Sequence, residues 1–217
     1  MSEFCYKTNL KKRRIGLHHT VGGTAISTYN YWLQKNKSQD WFIGTSKILE
    51  RDGSWIQNFS DYDWAYQFGL RKIWHPDNAD NFERGTIGIE IASEGPAVAA
   101  GGGLVFFHGG AYTRAVPKGH KLFKAPYNFR GYQHFDAYDD TQVTALIKKL
   151  NELFDEHDIP RVRPMDYGYT YREDDIKDFE GLLGHVNVRS DKSDPIPDPE
   201  FWARIDKECG IKKMELV

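Results

Sequence analysis

Cysteine is nearly missing from this 217-residue chain, which carries only Cys5 and Cys209. That rules out a disulfide framework, and both thiols are expected to be free. No apolar run approaches the roughly 20 residues of a membrane-spanning helix. The N-terminus holds charges but no continuous apolar segment of the kind a secretory signal needs. A cytoplasmic protein is expected, or one that something else releases. An excess of one charge sign is lacking too. The formal net charge of -2 gives no global drive toward nucleic acid or membrane, and neither is expected as a partner. One local exception, Lys11-Lys12-Arg13-Arg14, is expected to be the solvated flank of the first strand. There is no internal repeat.

What is present is a globular composition, 40% hydrophobic, 28% charged and 14% aromatic, in a length that suits one domain with a sizeable core. A single domain over residues 1–217 is expected, with loop insertions at about 95–138 and 161–180. Ile15 to Thr20 reads as a buried strand, with Ile15, Leu17 and His19 on one face and Gly16, His18 and Thr20 on the other. Val21-Gly22-Gly23 breaks it, and Thr24 caps a predicted helix to about Lys35 whose Ile26, Tyr29, Trp32 and Leu33 have core spacing. Arg51-Asp52-Gly53 between two short β patterns predicts a hairpin. Residues 74–84, rich in Asn, Asp and Pro, read as a loop. Thr86 to Ile91 repeats the design of the first strand, three isoleucines against Thr86, Gly88 and Glu90.

The 95–138 segment starts with an Ala/Gly tract and continues with Phe106-Phe107, Tyr112, Tyr127, Phe129 and Tyr132. It reads as an inserted hairpin and loop. Its aromatic faces either stack on sugar rings or form a small core of their own. Asp139 with Gln142 fits a capping box, opening a helix with the stripe Val143, Leu146, Ile147, Leu150, Leu153 and Phe154. Asp198-Pro199 opens a last helix through Phe201, Trp202 and Ile205. Strands interspersed with helices predict a mixed α/β layer fold.

Three polar groups interrupt this apolar plan. His185 leaves the short run Leu182-Leu183 and enters a polar loop, Gly184 to Pro195, that ends in a lysine, a carboxylate and a proline. Imidazole and carboxylate in one loop are ligand types that zinc accepts, and a third ligand must come from elsewhere. His18 is the candidate, on the strand face that a glycine clears. His19 points the other way and is expected to be packed or hydrogen-bonded. Glu90, between isoleucines, is costly to bury without a partner. A structural salt bridge is one account of it. A place facing a metal site, beside the matching glycine, is the preferred one.

Five segments in order, Ile15-Gly16-Leu17-His18-His19-Thr20, Glu50-Arg51-Asp52-Gly53, Ile87-Gly88-Ile89-Glu90, the long amphipathic helix, and Gly184-His185 through Lys192-Ser193-Asp194-Pro195, carry a resemblance. The chain resembles the zinc-dependent N-acetylmuramoyl-L-alanine amidases of type 2, a family that includes the amidase-type phage lysozymes and the peptidoglycan-recognition proteins. The resemblance spans residues 15 to 202. It implies a central mixed β-sheet flanked by helices, with zinc held by His18, His185 and Asp194. It implies Glu90 as general base and acid, and Lys192 as the group that stabilises the oxyanion. The implied reaction is hydrolysis of the amide between N-acetylmuramic acid and L-alanine, in peptidoglycan or a muropeptide fragment. The implied alternative is a recognition module that binds peptidoglycan without cutting it. Work on the cell wall would need release by lysis or a separate export route. Two positions depart from the pattern: Thr45 stands where some phage members carry a catalytic tyrosine, and Gln67 about where many members have a histidine. A zinc peptidase is a third reading, but the His-Glu-x-x-His helix of common metallopeptidases is lacking.

Overall fold

The computed structural model describes residues 3–107 and 113–216, so Tyr112 of the aromatic runs lies outside the described residues. In chain order the elements are β1 (Arg14–His19), α1 (Ala25–Lys37), β2 (Lys47–Leu49), β3 (Trp55–Gln57), α2 (Pro76–Arg84) and β4 (Thr86–Ile91). Then come β5 (Pro96–Ala100), β6 (Gly103–Phe107), β7 (Thr113–Ala115), β8 (Leu122–Phe129), β9 (Tyr132–Asp136) and α3 (Asp140–His157). The chain ends with β10 (Val162–Pro164), α4 (Glu173–Ile176), β11 (Gly181–Gly184), α5 (Pro199–Cys209) and β12 (Lys212–Met214).

The central sheet has the order β11-β1-β4-β2-β3. Its first four strands are parallel and β3 returns antiparallel on β2, which makes the expected mixed sheet. Ile15, Leu17, Ile87, Ile89, Ile91 and Leu182 share one core with the apolar stripe of α3 and with Phe201, Trp202 and Ile205 of α5. Parallel strands are covered on both faces, and the second face is covered too. Phe68, Leu70, Trp74, Phe82, Ile176, Phe179 and Leu183 form a separate cluster. The register places Gly16 beside Gly88 and His18 beside Glu90. A Cβ on Gly16 would stand 2.6 Å from the Phe68 ring, and one on Gly88 would collide with the Gln67 amide. The paired glycines are the seat of the 67–68 segment.

Several local expectations need correction. Thr24 does cap α1, accepting from Ser27 N, but Ile26 is 54% exposed. Only Ala25, Trp32 and Asn36 of α1 are buried, so the helix docks through a narrow seam rather than a full stripe. The 74–84 segment contains the helix α2, with Pro76 in its first turn and Ala79, Phe82 and Glu83 turned inward. Asp139 precedes α3 without capping it: its carboxylate accepts from Arg51, and the Gln142 amide donates to Ala92 O. Tertiary partners outcompete the local box.

The basic run is not a solvated flank. Lys11 and Arg13 do face outward, onto Asp158 and Glu180, but Lys12 and Arg14 are each 2% exposed. Lys12 Nζ donates to Asp63 O and Arg84 O, while Arg14 donates to Phe179 O and Phe82 O and lies over the Phe82 ring. Alternation along the chain leading into β1 splits four like charges into two buried and two exposed. Cys5 and Cys209 are free, and each is buried.

The 95–138 segment is more than a hairpin and loop. It forms a second sheet of five antiparallel strands in the order β7-β6-β5-β9-β8. Phe129 and Phe135 enter the main core. One carboxylate fastens the sheet to the end of β4. Asp136, fully buried, accepts from Glu94 N at 2.6 Å, lies 2.6 Å from His120 Nε2 and pairs with Arg51. The 161–180 segment supplies β10, which pairs in parallel with β12, and the short α4.

Candidate metal centre and its cleft

The polar cluster forms at the C-terminal ends of parallel strands. His18 is the fifth residue of β1. His185 follows β11 directly, in a short 3-10 turn, and Gly184 pairs with Leu17 beside it. Asp194 is drawn back to this turn by its own carbonyl, which accepts from Val186 N at 3.0 Å. A Cβ on Gly184 would stand 2.6 Å from the Pro195 ring, so the glycine lets the end of the loop fold over β11.

The three side chains converge through one atom each. His18 Nδ1 lies 3.0 Å from His185 Nδ1, His185 Nδ1 lies 3.2 Å from Asp194 Oδ2, and His18 Nδ1 lies 3.6 Å from the same oxygen. Ligands about 2.0–2.1 Å from a tetrahedral zinc stand roughly 3.3 Å apart, so this triangle has the dimensions of one face of that tetrahedron. All three residues are buried. His185 Nε2 lies 3.2 Å from Phe68 O, which places the proton on Nε2 and leaves the Nδ1 lone pair facing the cluster. His18 Nε2 is buried without a hydrogen-bond partner. Two imidazoles and a carboxylate, buried and aimed at a common point, fit zinc in donor type and in spacing.

The charges around the triangle are strongly perturbed. Burial pushes the Asp194 carboxyl up, but His185 and His18 overcome it and hold the group well below the usual range. Glu90 lies next to His18 in register, and burial pushes its carboxyl up to about 7, with His18 pulling the other way. The ion pairs formed at this site join His18 and His185 to Asp194 and leave Glu90 out. His19 is on the opposite face, buried with Nδ1 unpartnered, and burial lowers its pKa.

A cleft of about 1130 Å³ opens over the cluster, lined by His18, Glu90, His185, Lys192 and Asp194 and reaching Gln67, Arg71, Pro96, Phe107 and Tyr132. The structure therefore brings all five candidate residues to one cavity. Asp191 lines the same cleft but takes no part in the triangle: it is exposed and paired with Arg189 at 2.6 and 2.8 Å. Thr45 also lines the cleft, with its hydroxyl turned away to donate to Lys47 O.

Three contributors are not legible in the sequence. Phe68 packs its ring against His18 and gives its carbonyl to His185. Arg189 donates to the same carbonyl at 3.1 Å. Glu83, fully buried, accepts from Gln67 N and Phe68 N, so it sets the backbone of the segment that rests on the two glycines. The aromatic run Trp64-Ala65-Tyr66-Gln67-Phe68-Gly69 signals the segment, but nothing local signals that its backbone serves the site.

No protein-family model matches this chain, and no curated protein matches it in sequence. Solved structures do match in shape. The N-acetylmuramoyl-L-alanine amidase LysC from Clostridium intestinale URNW superposes with a TM-score of 0.50 at 16% identity, covering 94% of this chain and 89% of its own. The endolysin amidase LysCS from the same organism gives 0.50 at 15% identity, with 95% and 88% covered. AmiD from E. coli, an N-acetylmuramyl-L-alanine amidase in complex with anhydro-N-acetylmuramic acid-L-Ala-D-gamma-Glu-L-Lys, gives 0.52 at 13% identity. That match covers 97% of this chain and 61% of AmiD. The fold is thus the one seen in solved N-acetylmuramoyl-L-alanine amidases. Within it, this chain places a buried His-His-Asp cluster suited to a metal ion at the floor of its cleft.

Proposed function

We propose that the protein is a zinc-dependent N-acetylmuramoyl-L-alanine amidase, which hydrolyses the amide between the lactyl group of N-acetylmuramic acid and L-alanine. The observation that carries the reading is the ligand triangle. Two Nδ1 atoms and a carboxylate oxygen, 3.0–3.6 Å apart, stand at the floor of a cleft in an amidase fold. His18, His185 and Asp194 hold the metal. Bound there, zinc supplies a Lewis acid for the amide carbonyl and lowers the pKa of water.

The remaining steps belong to this chain's own side chains. Glu90, on the strand beside His18, takes the proton as water attacks the carbonyl carbon, then returns it to the departing amine nitrogen. A carboxyl raised to about 7 by burial suits a group that both accepts and donates a proton near neutrality. The Lys192 ammonium, on the cleft wall, faces the charge that develops on the carbonyl oxygen. Phe68 O and Arg189 position His185 and its loop. Residues 1–217 act as one catalytic domain, with peptidoglycan or a muropeptide as its partner.

The test is digestion of purified peptidoglycan followed by mass spectrometry. Stem peptides with an L-alanine amino terminus and uncut glycan strands are the expected products. New reducing ends, cleavage inside the stem, or tight binding without new amino termini despite bound zinc would each reject the assignment.

A further inference from the structure

We propose that the second sheet is the sugar-binding wall of the cleft: Phe107 of β6 and Tyr132 of β9, beside Pro96 of β5, stack on the pyranose ring of the N-acetylmuramoyl group. This rests on the amidase reading and assigns the glycan side of its substrate to a part of the molecule outside the five recognised segments. The three residues line the same cavity as His18, Glu90 and Asp194. The rings of Phe107 and Tyr132 have centroids 5.8 Å apart with planes inclined at 38°. Both are half-buried, whereas Phe106, Phe129 and Phe135 of the same sheet are 0%, 4% and 0% exposed. Core aromatics of this sheet are closed over. Of the open ones, Tyr127 at 52% exposure and the half-buried Phe123 lie off the cleft, and Phe107 and Tyr132 line it.

A pyranose presents a face of polarised C–H bonds, which suits the negative face of an aromatic ring. Charge separates the two halves of the substrate. The lactyl carboxyl is consumed in the amide, so the muramoyl unit is neutral, while a γ-linked glutamyl stem keeps a free carboxylate. Among the described lining residues the second sheet contributes no charge; Arg71 is paired with Asp80 and Arg189 with Asp191, and the lysines Lys72 and Lys192 come from other segments. The uncharged aromatic wall suits the ring, and the side that carries Lys72 and Lys192 suits the peptide carboxylate. Anchoring is also in place. Asp136 holds Glu94 N at 2.6 Å, so the wall is fixed a few residues beyond Glu90.

The test compares two substrates with the same scissile amide: N-acetylmuramoyl-L-Ala-D-isoglutamine and D-lactoyl-L-Ala-D-isoglutamine. In Tyr132→Ala and Phe107→Ala the ratio of kcat/KM, sugar-bearing over sugar-free, is expected to fall about five- to tenfold, through KM. Tyr132→Phe keeps the ratio. An unchanged ratio in both alanine variants, or an equal loss on both substrates, overturns the wall. If the wild-type protein cuts neither substrate, the amidase reading fails separately. Saturation-transfer NMR with the methyl glycoside of N-acetylmuramic acid then decides. Contact with the sugar that is lost in Tyr132→Ala supports the wall, and no contact in the wild type overturns it.

Discussion

The two sheets of this protein are built under different constraints. In the central sheet, the four parallel strands are closed on both faces, and neighbouring residues leave almost no slack: Phe68 and Gln67 occupy the space where Gly16 and Gly88 carry no Cβ. In the second sheet, Gly101, Gly102 and Gly103 have nothing within 4 Å of where a Cβ would stand, and the outer strands carry much exposed surface. Its place is set by a few buried rings, by the carboxylate of Asp136 and by the Arg130 guanidinium, which reaches Ser190 O, Gly168 O and Thr170 Oγ1. Tight packing fixes the metal ligands, and a few polar ties, Asp136 at one end of the wall and Arg130 at the other, fix the wall beside them.

Variants can break this contrast or sharpen it. The largest effect is expected in the central sheet: His18→Ala or His185→Ala should abolish turnover and zinc content, the latter measured by elemental analysis. Retention of full zinc by both would remove the metal from this sheet altogether. Dialysis against a chelator should silence the wild type, and added zinc should restore it. Asp194→Asn should cost far more zinc affinity than Asp191→Asn, because Asp191 is committed to Arg189.

Glu90→Gln is expected to keep zinc and fold while losing roughly a hundred- to ten-thousand-fold in kcat, read from stem-peptide release. Near-normal turnover would move proton transfer off the central sheet.

Asp136→Ala tests the anchor. It leaves Arg51 and Glu94 N without their buried acceptor, so a loss of about 3 kcal/mol in urea unfolding is expected. Proteolysis within residues 96–135 should begin below the global transition. A single cooperative transition with unchanged midpoint would show that the anchor is dispensable.

The smallest pair uses one substitution in both sheets. Gly16→Ala should cost about 1–3 kcal/mol, because the Phe68 ring must shift. Gly103→Ala should stay within about 0.5 kcal/mol, having nothing to displace. Equal costs would erase the distinction.

What can be read from the sequence follows the same division. The strands around His18 and Glu90, the α3 stripe and the hairpin at Gly53 announce themselves, because burial on known faces imposes a period on residue types. The second sheet does not. Its small residues carry no period, and cross-strand partners as far apart as Ala97 and His134 set its pairing. Lys12, Arg14 and Asp139 mislead for a related reason: their partners are distant backbone carbonyls or a distant guanidinium, which override local propensity. In the site, side chains that face the cluster are legible by type. The carbonyl of Phe68 is not, because any residue carries one.

Asp136 N donates to Gly95 O at 2.9 Å, so the chain between them leaves the central frame and rejoins it at one place. Closing such an excursion depends only weakly on its length, about 0.6 kcal/mol for each doubling. An ancestor could lengthen or trim this appendage at its 101–103 turn, where an added Cβ meets nothing, without moving a parallel strand or a ligand, so long as Phe129, Phe135 and Arg130 kept their contacts. The cutting chemistry and the surface that chooses what is cut are thus free to change at separate rates across generations.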